Sequence, residues 1–291
     1  MEKNLEQRSL VISAIGAFCM ALLGLFFGIR TSSEAIMMDG YFSLTGFVVS
    51  LITLQAAKLI ALPENKSYHF GLSTLEPLVN LCKGLIMLVI CVCAASNAIL
   101  SIRNGGNPFR GEEAVWYAFI ATAFCAVLYG FIKKNAKKLD SPILRAESSN
   151  WLIDCVISAA VGIAFLMSFL FKDLLGSLNP FLDSIIVLMM VAVMIKIPLD
   201  LIKNNLHEVL LGAPEKRLQD EIKSELEVFL KEVNFKDIDY RITRTGRNIY
   251  AVAKIYLLED YAVSKLTKLK HKIENNFKAN TFVDLSFNFD G

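Results

Sequence analysis

Six long apolar runs, separated by short polar segments, fill the chain up to about Leu211. A helix needs roughly 20 apolar residues to cross the hydrocarbon core of a bilayer. The runs Leu10–Ile29, Ala35–Ala57, Pro77–Leu100, Ala114–Ile132, Trp151–Phe171 and Leu182–Ile202 meet that length and predict six membrane-spanning helices. From Gly212 to Gly291 the pattern becomes that of a charged, soluble sequence. Pro214 opens a helical stretch to about Val233, with Leu218, Ile222, Leu226, Phe229 and Leu230 on one face. Period-two alternation follows in Ile238, Tyr240 and Ile242. After a turn near Thr245-Gly246, it resumes in Ile249, Ala251, Ala253, Ile255 and Leu257. A second helix carries Val263, Leu266, Leu269 and Ile273, and Phe282 to Phe289 reads as a last strand. The expected fold is a polytopic α-helical membrane protein (residues 1–211) with a small α+β domain of order α-β-β-α-β (residues 212–291). A domain that small buries little core alone, so pairing with a second copy would help it.

Charge then sets the orientation. With an even number of spans both termini share one side. Placing that side in the cytoplasm gives its segments Lys3, Arg8, Lys58, Lys66, Lys133, Lys134, Lys137, Lys138 and Arg145. The opposite loops keep Arg30, Arg103, Arg110 and Lys172. The positive-inside rule therefore predicts cytoplasmic termini, and the cell membrane is the expected location. The first run lacks a small-residue cleavage site and reads as a retained span. A net charge of +2, with no basic tract outside these loops, gives no sign of a nucleic-acid partner. The six cysteines all lie in apolar segments without a Cys-x-x-Cys pair, so they read as small buried hydrophobes.

Six charges fall within the runs: Asp39, Lys83, Asp154, Asp183, Lys196 and Asp200. Asp183, Lys196 and Asp200 lie near ends, where a side chain reaches the interface cheaply. Asp39 and Asp154 lie deeper. An intramembrane carboxylate is costly and by default marks an ion or proton path. The bland reading is a structural pair bonded to helix termini or neighbouring spans. Lys83 is also deep, and could neutralise Glu76 or a site aspartate. With these boundaries Asp39 lies outward and Asp154 inward of mid-span, a depth difference on the order of 20 Å at 1.5 Å per residue.

Several strings carry a resemblance. They are Ser33-Glu34-Ala35 with Met38-Asp39-Gly40-Tyr41-Phe42-Ser43-Leu44, Lys66-Ser67-Tyr68-His69-Phe70-Gly71 with Leu75-Glu76-Pro77-Leu78, Asn179-Pro180-Phe181-Leu182-Asp183, and Leu210-Leu211-Gly212-Ala213-Pro214. In order and spacing they are similar to the cation diffusion facilitator transporters, over nearly the whole chain. The resemblance implies a homodimeric exporter of divalent metal, driven by proton exchange with alternating access, and a ferredoxin-like tail. It also implies a transport site on the second and fifth spans, here Asp39 with Ser43 and Asn150 with Asp154. A spacing of four places each pair on one helix face.

Zinc-type members carry Asp-x-x-x-Asp and His-x-x-x-Asp, whereas this chain has Ser43 and Asn150 at two of those positions. The donors are then all oxygen, which suits manganese, magnesium or ferrous iron better than zinc. Ser43 and Asn150 also fit interhelical hydrogen bonding. Without the histidine, exchanged protons would fall to Asp39 or Asp154. Glu147, Asn150 and Asp154 form one stripe, so Glu147 lines the cytoplasmic entrance or sits at the interface. Cys155 is rotated about 100° from Asp154 on a helix. His69 is the one histidine of the 58–72 loop and His271 a lone histidine on a charged helix, so auxiliary metal sites are not expected. The expected function is proton-coupled divalent cation efflux, with no cofactor beyond the transported ion, which the sequence leaves open among zinc, manganese, iron and cobalt. The rival is a non-transporting membrane scaffold or sensor, motivated by the altered motif and by Lys83. An enzyme is not expected, because no nucleophile–base set or nucleotide motif appears.

Overall fold

The computed structural model describes residues 2–60, 68, 71–106, 111–139, 141–171, 180–231, 233–246, 248–259, 261–274, 276–277 and 281–289. Lys66, Ser67, His69, Phe70 and Asn179 of the strings above lie outside them. Six helical spans are present. They are α1 (Glu2–Thr31), α2 (Glu34–Ile60), α3 (Leu75–Arg103), α4 (Gly111–Leu139), α5 (Pro142–Leu170), and a last span made of α6 (Leu182–Met194) and α7 (Lys196–Val209). Every span is longer than its hydropathy run. The start that moves furthest is that of the fifth, at Pro142 rather than Trp151. Arg145, Glu147, Ser148, Ser149 and Asn150 end the apolar run, but all are compatible with a helix. The true start has its own signal: Ser141 accepts from the Leu144 N–H and Pro142 follows in the first turn. The last span is interrupted at Ile195. Pro198 has no N–H to give the Met194 carbonyl, which accounts for the break. Lys196 therefore lies midway along the Leu182–Val209 span, not near its end.

The chain divides into two compact units, Met1–Ile52 with Lys83–Asp200 and Thr53–Cys82 with Leu201–Gly291. The compositional break at 211/212 falls inside the second. In the first unit α4 lies along α5, and α1 packs on both. The apolar core draws on α1 to α6, through Met20, Met38, Cys91, Ala121, Cys125, Phe165 and Val187 among others. The outward side chains remain apolar: Val193, for example, is 72% exposed. Lipid-facing positions need that composition.

Between α1 and α2 the contact is backbone on backbone. A Cβ added at Gly24 would lie 2.5 Å from the Gly40 Cα, and one at Gly28 would lie 3.0 Å from the Met37 Cα. Gly24 and Gly28 form a Gly-x-x-x-Gly pair of the kind that lets membrane helices approach closely. Asp183 departs from expectation. It is 4% exposed and does not reach for the interface. Its Oδ1 accepts from the Ser33 hydroxyl at 2.5 Å and its Oδ2 from the Glu34 N–H at 2.8 Å. It thereby satisfies free donors at the start of α2.

In the second unit α8 (Lys216–Leu230) precedes β1 (Phe235–Thr245), β2 (Asn248–Leu257), α9 (Val263–Glu274) and β3 (Thr281–Phe289). This is the predicted α-β-β-α-β order. The sheet runs β1-β2-β3, with β1 antiparallel and β3 parallel to β2. Ile222, Leu226 and Leu230 of α8 and Leu266, Leu269 and Ile273 of α9 bury against Ala251, Ala253, Ile255 and Leu257 of β2. Leu218 and Phe229 pack partly against that core. The hairpin turn has positive φ at Gly246, whose N–H donates to Glu208 Oε2 at 3.0 Å.

Candidate metal centre

Asp39 lies in the second turn of α2, and Ser43 lies one turn further on. Both are half-buried. The Tyr117 phenol of α4 donates to Asp39 Oδ2 at 2.5 Å. Tyr117 is 3% exposed, and its ring centroid lies 5.6 Å from that of Phe27 on α1. Asp39 and Tyr117 line one small cavity with Ala35, Ile36, Ala118, Ile157, Ser158, Val161 and Met190. Four spans therefore meet around the Asp39 carboxylate.

Asp154 sits near the middle of α5 and within electrostatic reach of Asp39, Glu147 and Lys83. The depth mismatch of about 20 Å expected from hydropathy boundaries does not hold. The earlier start of α5 moves Asp154 from the head of the helix to its middle. Asp154 and Asn150 occupy the exposed side of α5. Among the described residues, Ser43 and Asn150 make no hydrogen bond to either carboxylate. The structure thus brings the two aspartates together and leaves the two neutral donors beside them.

Glu147 is anchored at its end of the stripe. Trp151 Nε1 donates to Ser13 Oγ at 2.7 Å, and Ser13 Oγ donates to Glu147 Oε1 at 2.5 Å. This contact holds the Glu147 carboxylate between α1 and α5. Lys83 is half-buried, and its positive charge acts on Asp154.

Three residues escaped the sequence reading. Tyr117 is one. Cys125, read as a plain buried hydrophobe, lies within electrostatic reach of both aspartates and shares a hydrogen bond with Ser158. Ser158 is the third, one turn beyond Asp154. Cys155 faces elsewhere, as its rotation predicts, with Sγ 3.7 Å from the Thr122 carbonyl oxygen. Tyr117, Ala121 and Cys125 recur at intervals of four on α4, a buried face that the sequence does contain. Nothing in an apolar span distinguishes a phenol that meets a carboxylate from one that packs.

Chemically, the cavity offers one carboxylate, a phenol and a hydroxyl, from Asp39, Tyr117 and Ser158, and the Asp154 carboxylate lies within electrostatic reach of Asp39. Among the described residues no three His, Cys, Asp or Glu side chains form a metal-binding group. A cation here would rely on two anionic ligands, completed by neutral oxygens and water, as hard divalent ions accept.

A family model described as the cation efflux transmembrane domain matches residues 10–210. A manganese efflux system protein, MneP of Bacillus subtilis, is 24% identical over 95% of this chain and 93% of its own length. A second manganese efflux system protein of that organism, MneS, is 20% identical over 95% and 92%. An uncharacterized transporter of Methanocaldococcus jannaschii is 21% identical over 94% and 93%.

Proposed function

The chain belongs to the cation efflux family of membrane metal transporters, and on that premise we propose that it exports manganese, or a similarly hard divalent cation, in exchange for protons. The observation that supports this most is the approach of Asp39 and Asp154, on different spans, inside an apolar helical unit. Two like charges so placed need compensation, and one divalent ion or protons can supply it. That alternation is the chemical requirement of an antiporter. Asn150 and Ser43 complete the proposed ligand set as neutral oxygens. Glu147 sits on the same stripe of α5 toward the proposed cytoplasmic side and would receive the ion first.

The donor set favours manganese over zinc because it holds neither imidazole nor free thiolate. The two relatives named as manganese efflux proteins point the same way. The exposed side of Asp154 and Asn150 also bears on the mechanism. A carboxylate facing acyl chains is expensive, so that side is best understood as lining an aqueous vestibule. Both termini are placed in the cytoplasm by the loop charges, and the tail is the natural dimerisation surface.

Reconstitution into liposomes tests this reading. Added manganese should enter vesicles holding protein in the inverted orientation and shift the lumenal pH. Asp39→Ala and Asp154→Ala should each abolish both signals. Full manganese transport by both variants would sink the site assignment. A second reading, a non-transporting scaffold or sensor, draws on Lys83, whose charge already acts on Asp154. Absence of saturable manganese binding by the wild-type protein would favour it.

A further inference from the structure

Asp39 has two oxygens, and one is already engaged. The Tyr117 phenol donates to Oδ2 at 2.5 Å from a residue 3% exposed. Its ring is held by Phe27 at 5.6 Å between centroids. Hydrogen bonds to an ionised carboxylate are among the stronger ones, and a low-dielectric setting strengthens them further. An ion taking both oxygens of Asp39 would have to share Oδ2 with the phenol, which already occupies one of that oxygen's two lone pairs and fixes the carboxylate's orientation.

We propose that Tyr117 is a specificity-determining positioning residue that restricts Asp39 to one-oxygen coordination and so selects against large cations. The proposal rests on the reading of Asp39 as a transport-site ligand. Calcium gathers six to eight oxygens at about 2.3–2.6 Å and draws readily on bidentate carboxylates. A smaller octahedral ion is satisfied by one oxygen from each carboxylate. With one lone pair of Oδ2 engaged by the phenol, Oδ1 is the favoured ligand atom of Asp39. The cavity wall is consistent with this, since Ala118, Ile157, Val161 and Met190 bring no further carboxylate to enlarge the shell.

The test is calorimetric titration of the full-length protein in detergent with manganese and, separately, calcium. Wild type, Tyr117→Phe and Asp39→Asn are compared. Tyr117→Phe keeps the ring and should lower the manganese-to-calcium affinity ratio about tenfold, mainly by tighter calcium binding, the scale of one charge-assisted hydrogen bond. Asp39→Asn should weaken both ions. An unchanged ratio in Tyr117→Phe, or an equal loss for both ions, overturns the selectivity role while leaving the site intact. Intact manganese binding in Asp39→Asn instead overturns the site reading itself. Infrared spectra of the wild type supply a measurement that needs no Tyr117 variant, using Asp39→Asn to assign the carboxylate bands. A one-oxygen signature for Asp39 with manganese is expected, and a bidentate signature overturns the proposal.

Discussion

Asp183 uses both carboxylate oxygens at the start of α2, on Ser33 and on the Glu34 N–H. Its role there is structural, because it closes donors that a helix start leaves open. Asp183→Ala should destabilise the protein by about 1–3 kcal/mol, read as a lower thermal midpoint of the detergent-solubilised protein. Manganese affinity should fall far less than in Asp39→Ala. Asp39, Asp154 and Asp183 carry the same charge in similar apolar runs, and the sequence separates them only by distance from a run's end. That criterion singled out the two aspartates that lie within electrostatic reach of each other but misread Asp183, whose role depends on Ser33, 150 residues away in the chain. Tyr117 meets Asp39 across 78 residues. A tyrosine in a span raises no alarm, so its role became visible only through that contact.

Among the elements, α2 shows how much depends on backbone approach. A Cβ at Gly40 would lie 2.8 Å from the Leu25 nitrogen and 2.9 Å from the Gly24 carbonyl carbon, whereas one at Gly46 meets nothing within 4 Å. Gly40→Ala must push two helices apart and should cost about 1–3 kcal/mol. Gly46→Ala should be neutral or gain up to about 1 kcal/mol from helix propensity. Thermal stability followed by size-exclusion chromatography distinguishes them, and equal midpoints would refute the close crossing. Gly24-Leu25-Phe26-Phe27-Gly28 was present in the chain, but a glycine pair acquires meaning only once its partner helix is known. The number and order of spans were legible because a bilayer imposes a length on every crossing. Their ends were not, because a helix continues past the last apolar residue wherever its polar residues can reach an interface or a partner.

At the scale of the whole molecule, the change from apolar runs to mixed sequence near Leu211 predicted the soluble fold correctly, strand for strand. Alternating residues on β1 and β2 and the helical faces of α8 and α9 were legible because one side of each is buried. Tyr240 adds a pH dependence there. Burial of the phenol, reinforced by the negative charge of Glu227, pushes its pKa up to about 12 from the ordinary 10. Between those values the unfolded chain loses the proton that the folded chain keeps, so stability falls as pH rises above about 10. Alkaline unfolding of the tail should therefore begin later in Tyr240→Phe, as circular dichroism against pH would register. Identical alkaline midpoints would exclude this contribution.

The parallel pairing of β3 with β2 has a consequence for biosynthesis. Of the three described strands Thr281–Phe289 is the last to be synthesised, yet it pairs with β2 from Ile249 to Leu257. Until it emerges, one side of β2 presents an open row of N–H and C=O groups. Such an edge is a template for pairing with another nascent chain. The risk of misassembly is thus concentrated in the interval between the synthesis of β2 and that of β3, and a chain stopped before Thr281 would carry that open edge permanently.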